Sequence, residues 1–209
     1  PLIEKLLEQI SFEARKSEYI DQKSGVSARL TISAYENLVS VVQRRMLLNN
    51  ETSGVARIND LYGVIPAITG KVELVYEGEL EGISNVAYTL ISKAIRHEFI
   101  NYFPDPERAK KSKQGNAYAE VLDWFNEGNE IDLMHSSSEK EHIAQIDKIK
   151  ALTTVVNNYQ KNLSKADSVL LREFMLHGLA EYSQISKRRM ESTVLFSDLV
   201  GSIFNPGKE

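Results

Sequence analysis

Apolar residues recur at spacings of three and four along almost the whole of this chain, and that spacing constrains its fold more than any other feature. Leu2, Ile3, Leu6, Leu7, Ile10 and Ala14 place one apolar face on a helix from Leu2 to about Lys16. Ser33, followed by Glu36, has the form of a capping box. It predicts a second helix carrying Ala34, Leu38, Val41, Val42 and Met46. After the polar break Glu51-Thr52-Ser53-Gly54, Asn59 and Asp60 start a short helix with Leu61, Val64 and Ile65. Alternation at Val72, Leu74 and Tyr76 marks the single strand candidate, which needs a partner.

From Glu79 a long amphipathic helix carries Ile83, Val86, Leu90, Ile91, Ala94, Ile95 and Phe99, and Pro104-Asp105-Pro106 ends it. Residues 107–116 are basic, have no apolar stripe and read as a mobile surface loop. Tyr118, Val121, Leu122 and Phe125 mark a short helix. Ser138 with Glu141 is a second capping box, opening a helix with Ile143, Ile146, Ile149, Leu152 and Val156. Asp167 is the expected cap of a further helix through Leu170, Phe174, Leu179 and Ile185, so residues 138–190 are expected to form an antiparallel pair. The tail repeats Val194, Leu195, Phe196, Leu199, Val200, Ile203 and Phe204 at helical spacing. The expected class is therefore all-α, with at most one short strand or hairpin, and with a division near Gly78 into residues 1–78 and 79–209.

Composition narrows the functional classes. A chain of 209 residues buries enough surface to fold without covalent staples. Its zero cysteines exclude disulfides, thiol catalysis and cysteine-ligated zinc. No signal peptide or membrane-spanning run is visible, and the cytoplasm is the default compartment. The net charge of −4 argues against a broad nucleic-acid surface. His97, His135, His142 and His177 are scattered, with no zincin spacing, and structural or surface roles suit each. Lys187-Arg188-Arg189 and Arg44-Arg45 are read as charges that complement the negative ends of helices.

The stretch Lys23-Ser24-Gly25-Val26-Ser27-Ala28-Arg29-Leu30 sets one arginine on a small-residue turn at the start of a helix. A helix N-terminus favours anions, and Arg29 adds a planar, permanently charged donor fork to it. The plainer reading is a surface arginine that salt-bridges a neighbouring carboxylate.

Gly25-x-Ser27-x-Arg29, followed by a helix, a polar break and Val55-Ala56-Arg57-Ile58-Asn59-Asp60-Leu61, resembles the helical lid of AAA+ ATPases of the MoxR and magnesium-chelatase I-subunit type. The segment from Ile65 to Gly78 looks like the branch of that family with a helical extension after the lid. The resemblance implies that Arg29, with Ser27 and Gly25 shaping its turn, is the sensor 2 arginine that contacts the γ-phosphate of ATP bound in a preceding core. It further implies ATP and Mg²⁺ as cofactors of a parent protein, that protein's own core and neighbouring ring subunits as partners, and a von Willebrand A-domain protein as an additional one. No G-x-x-x-x-G-K-[ST] loop occurs in the chain, so phosphates are not cradled here and no ATP hydrolysis is expected of this chain alone. Beginning in helical register without methionine, the chain reads as the C-terminal part of a longer protein. The alternative is a stand-alone helical interaction module that docks through the basic residues 108–113 and the apolar tail 194–204.

Overall fold

The computed structural model describes residues 1–109 and 115–199. The helices are α1 (Leu2–Lys16), α2 (Leu30–Asn49), a 3-10 helix (Ile58–Val64), α3 (Ile65–Thr69), α4 (Tyr76–Glu81) and α5 (Ile83–Phe99), followed by α6 (Pro106–Ala109), α7 (Ala119–Asn126), α8 (Glu139–Ile146), α9 (Lys150–Tyr159) and α10 (Lys165–Glu181). Three strands join them: β1 (Ile131–Met134), β2 (Ser186–Arg189) and β3 (Thr193–Ser197).

α5 is the centre of the packing. Its buried face, Val86, Leu90, Ile91, Ala94, Ile95 and Phe99, meets α1 on one side and α10 on the other. The Phe99 ring is the hub of an aromatic cluster with Phe103, Tyr118, Phe174 and Tyr182, at centroid separations of 5.3 to 6.1 Å. α10 comes this close because residue 178 is glycine: a Cβ there would stand 2.0 Å from Phe99 Cδ2. One continuous apolar core includes residues from both sides of Gly78.

The all-α expectation is overturned by an antiparallel three-stranded sheet in the order β1-β3-β2. Ile131 pairs with Phe196 and Leu133 with Val194, while Lys187 pairs with Phe196 and Arg189 with Val194. β1 alternates buried Ile131 and Leu133 with exposed Asp132 and Met134. In β3, Val194 and Phe196 are fully buried. A four- or five-residue apolar run fits one helical turn as well as a short strand, so its spacing does not separate the two; the pairing of β3 with the distant β1 and the adjacent β2 does. The helical reading of the tail therefore fails for residues 193–197, and its remainder beyond Leu199 lies outside the described residues.

Other boundaries shift for local reasons. α2 begins at Leu30, so Ser33 lies inside the helix and caps nothing. The Ser138 and Glu141 capping box forms as expected, with the Ser138 side chain accepting from the Glu141 N–H. The first limb of the expected helical pair is broken between Ile146 and Lys150 into α8 and α9. The second limb stops at Glu181, where Ser183 takes a φ of 51° and the chain leaves as β2. The Val72 to Tyr76 strand candidate reduces to two isolated bridges, Val26 with Val72 and Ile20 with Leu74. Arg108 and Ala109 of the expected loop belong to α6, and residues 110–114 lie outside the described residues.

Candidate functional site

The turn that carries Arg29 is built by its own backbone. Asp21 accepts from the Lys23 N–H at 2.8 Å and from the Ser24 hydroxyl at 2.8 Å, and these bonds hold its carboxyl below the ordinary value. Gly25 takes a φ of 74°, a conformation that glycine adopts without a Cβ penalty. The bridge between Val26 and Val72, with the Ser27 N–H donating to the Lys71 carbonyl at 3.2 Å, anchors the turn to the segment after α3. Ser27 Oγ then accepts from the Arg29 N–H at 3.3 Å, and the Arg29 carbonyl accepts the first bond of α2 from Ser33. The Arg29 side chain is exposed and has no carboxylate within ion-pair distance among the described residues. On the next turns of α2, Ile32, Tyr35 and Val39 are exposed as well, an apolar stripe beginning beside the arginine.

A second polar assembly is buried where the 3-10 helix meets α2, α8 and α10. Arg45 and Asp60 form an ion pair with both side chains at most 3% exposed, and Arg45 also donates to the Val55 carbonyl at 2.6 Å. Asp60 accepts from the Arg57 N–H at 2.8 Å, closing the start of the 3-10 helix. Burial raises the Asp60 carboxyl above the ordinary value against the pull of Arg45, and burial, followed by repulsion from Arg45, lowers Arg57. The Arg57 guanidinium reaches across to the Ser137 carbonyl at 2.9 Å and so ties the loop after β1 to this end of the molecule.

Glu173 of α10 is wholly buried and supplies the acceptors that the 3-10 helix lacks at its N-terminus. Its carboxylate takes the N–H of Ile58 at 3.0 Å and of Asn59 at 2.9 Å. His142 Nε2 stands 3.3 Å from Glu173 Oε2, off hydrogen-bond geometry, and neither ring nitrogen of His142 has a hydrogen-bond partner among the described residues. Burial alone would raise the Glu173 carboxyl; His142, His177 and the N–H donors outweigh it and hold the group down at about 2. His177, one turn further along α10, is pushed down to about 3, chiefly by burial and then by Lys187, so its imidazole is neutral. The Asn59 Nδ2 donates to the Leu133 carbonyl at 3.0 Å, which orients the amide and leaves Oδ1 as acceptor for His177 Nε2–H at 2.9 Å.

Chemically this assembly is a lock. The carboxylates of Asp60 and Glu173 are already engaged, and among the described residues no group of three or more His, Asp or Glu side chains is arranged to hold a metal ion. A cavity of about 30 Å³ beside Arg45, Arg57, His142 and Glu173 has the size of one or two water molecules. From sequence alone, Arg45 falls at a helix end and His142 and His177 in structural or surface roles, and nothing joins the three. The one trace of the cluster in the sequence is the four-residue spacing of Glu173 and His177 inside an apolar helix, which puts an acid and an imidazole on the same buried face.

Gly25, Ser27 and Arg29 thus lie together on one turn, and the structure keeps them apart from the buried assembly around Glu173. No helix among the described residues is long and apolar enough to cross a membrane. Compared with protein families, curated proteins and solved structures, the chain shows no match.

Proposed function

We propose that this chain is the lid and following C-terminal region of a cytoplasmic AAA+ ATPase resembling the magnesium-chelatase I-subunit and MoxR type, with Arg29 as its nucleotide-sensing residue. The observation that carries the reading is the state of Arg29: exposed on a fixed turn at the start of α2, with no carboxylate partner among the described residues. The plainer reading, a surface salt bridge, requires such a partner. The open apolar stripe of Ile32, Tyr35 and Val39 beside it suits a helix that rests on another body, here the ATPase core.

In this reading ATP and Mg²⁺ are held by a P-loop core, and the γ-phosphate is the anion that Arg29 meets. The charge of Arg29 favours the closed arrangement when nucleotide is present. The rigid packing of α1, α5 and α10 passes the lid's movement on to a neighbouring ring subunit or a von Willebrand A-domain partner. Remodelling of a partner and insertion of a metal ion are the two outputs such a movement can drive.

The test is made on the complete polypeptide that contains this chain. ATP turnover at saturating nucleotide should fall at least tenfold in Arg29→Ala, because a charge that stabilises phosphoryl transfer is removed. Turnover equal to wild type, or a complete polypeptide without a P-loop, overturns the reading.

A further inference from the structure

A cleft of about 610 Å³ opens between α2, the 3-10 helix, α5 and the β2–β3 hairpin, within the size range of small-molecule sites. Two arginines line it from distant parts of the chain, Arg44 of α2 and Arg189 of β2. The helix-end explanation covers neither of them. Arg189 lies on a strand, and α2 continues past Arg44 to Asn49 with no basic residue in its last turn.

Neither guanidinium has a carboxylate within 4.0 Å among the described residues, although the exposed Glu191 also lines the cleft. The Arg189 guanidinium carbon lies over the Tyr88 ring at 4.0 Å from its centroid, a contact that leaves the N–H groups able to donate elsewhere. Tyr88 in turn touches Tyr62, at a centroid distance of 5.9 Å, and Tyr62 meets the His135 ring edge-on at 6.2 Å. Burial lowers His135, which favours the uncharged ring, and the Tyr62 hydroxyl is already engaged by Lys187 at 3.3 Å. The cleft therefore combines an aromatic wall with two donor forks that are unpaired among the described residues.

A carboxylate saturates one such fork, whereas the three terminal oxygens of a phosphate monoester serve two. The tyrosine rings call for a flat apolar body attached to that phosphate. We infer that this cleft binds a small organic phosphate monoester with a planar body. The site uses none of residues 25–29 and stands independently of the nucleotide-sensing role of Arg29.

Titration calorimetry of the chain with phenyl phosphate, AMP, benzoate and inorganic phosphate tests it. Phenyl phosphate or AMP should bind at least tenfold more tightly than inorganic phosphate or benzoate. Whichever of the two binds better identifies the body as a single ring or a nucleoside. Arg44→Gln and Arg189→Gln each remove an exposed charge and should leave the melting temperature unchanged while weakening binding about tenfold or more. Saturable binding by none of the probes, equal binding of inorganic and phenyl phosphate, or undiminished binding in the double variant overturns the assignment. If both substitutions lower the melting temperature, Tyr88→Leu, which removes only the stacked ring, must still weaken phenyl phosphate more than inorganic phosphate, or the site is refuted.

Discussion

The carboxylate of Glu173 on α10 accepts the backbone N–H of Asn59 at 2.9 Å, across 114 residues of chain. With the companion bond to Ile58, it makes one buried side chain the N-terminal acceptor for the 3-10 helix of another part of the fold. Replacing it should be costly because two backbone donors lose their partner in a site that little water can reach. Glu173→Ala is expected to lower the unfolding free energy by about 3–5 kcal/mol, and Glu173→Gln by less, since the amide oxygen still accepts one bond. Urea denaturation followed by circular dichroism measures both. A loss for Glu173→Ala no larger than that of a surface substitution would show that the lock does not contribute.

The same cluster predicts acid sensitivity with a definite sign. His177 has an ordinary value of 6.5 and is held near 3 in the folded chain. Between these values the unfolded chain binds the extra proton, so stability falls as pH drops below about 6.5, by up to about 1.4 kcal/mol per unit. Glu173, held near 2 against an ordinary 4.5, adds a further loss as pH falls through that lower window. Asp60, whose carboxyl is raised, acts in the opposite direction, which is why a difference measurement is needed. The urea midpoint of wild type should decline from pH 7 to pH 5 more steeply than that of His177→Gln. Parallel pH profiles for the two proteins would refute the assignment.

Arg45 and Asp60 test whether the buried pair is held by mutual dependence. Removing either partner leaves an uncompensated charge, so Arg45→Met and Asp60→Leu should each cost about 3–5 kcal/mol. The double variant removes both charges and should recover much of the combined loss. Additive losses in a double-mutant cycle would mean that the two side chains act independently.

Gly178 sits where α10 crosses α5. An alanine in a helix interior ordinarily gains up to about 1 kcal/mol over glycine, but here the added Cβ would meet the Phe99 ring at 2.0 Å. Overpacking wins, and Gly178→Ala should destabilise by about 1–3 kcal/mol or more, with partial rescue by Phe99→Leu. A higher melting temperature in Gly178→Ala would show that the crossing has room to spare.

At the Arg29 turn the expectation is reversed. Arg29→Ala removes an exposed side chain and should change stability by no more than about 0.5 kcal/mol. Gly25→Ala should cost about 1–2 kcal/mol because the backbone φ of 74° is strained for alanine. If Arg29→Ala proves as destabilising as Gly25→Ala, the arginine is a structural residue rather than a presented one.

The sequence by itself determined the elements whose information is local. Apolar spacing over four or more turns marks α1, α5 and α10, and the Ser138 and Glu141 box marks the start of α8, because the residues that decide these features are three or four positions apart. The same is true of the Arg29 turn, where Gly25 supplies the positive φ and the Ser27 hydroxyl accepts from the Arg29 N–H two residues on. Tertiary structure decided everything that depends on distant pairing. A five-residue segment such as Thr193–Ser197 becomes a strand because Ile131–Met134 and Ser186–Arg189 supply its hydrogen bonds on either side, and no spacing within it encodes those partners. The lock of Glu173, His177 and Asn59 and the convergence of Arg44 with Arg189 arise in the same way. A buried or clefted polar group takes its chemistry from neighbours that folding, not sequence order, brings into hydrogen-bond reach or onto the wall of one cleft.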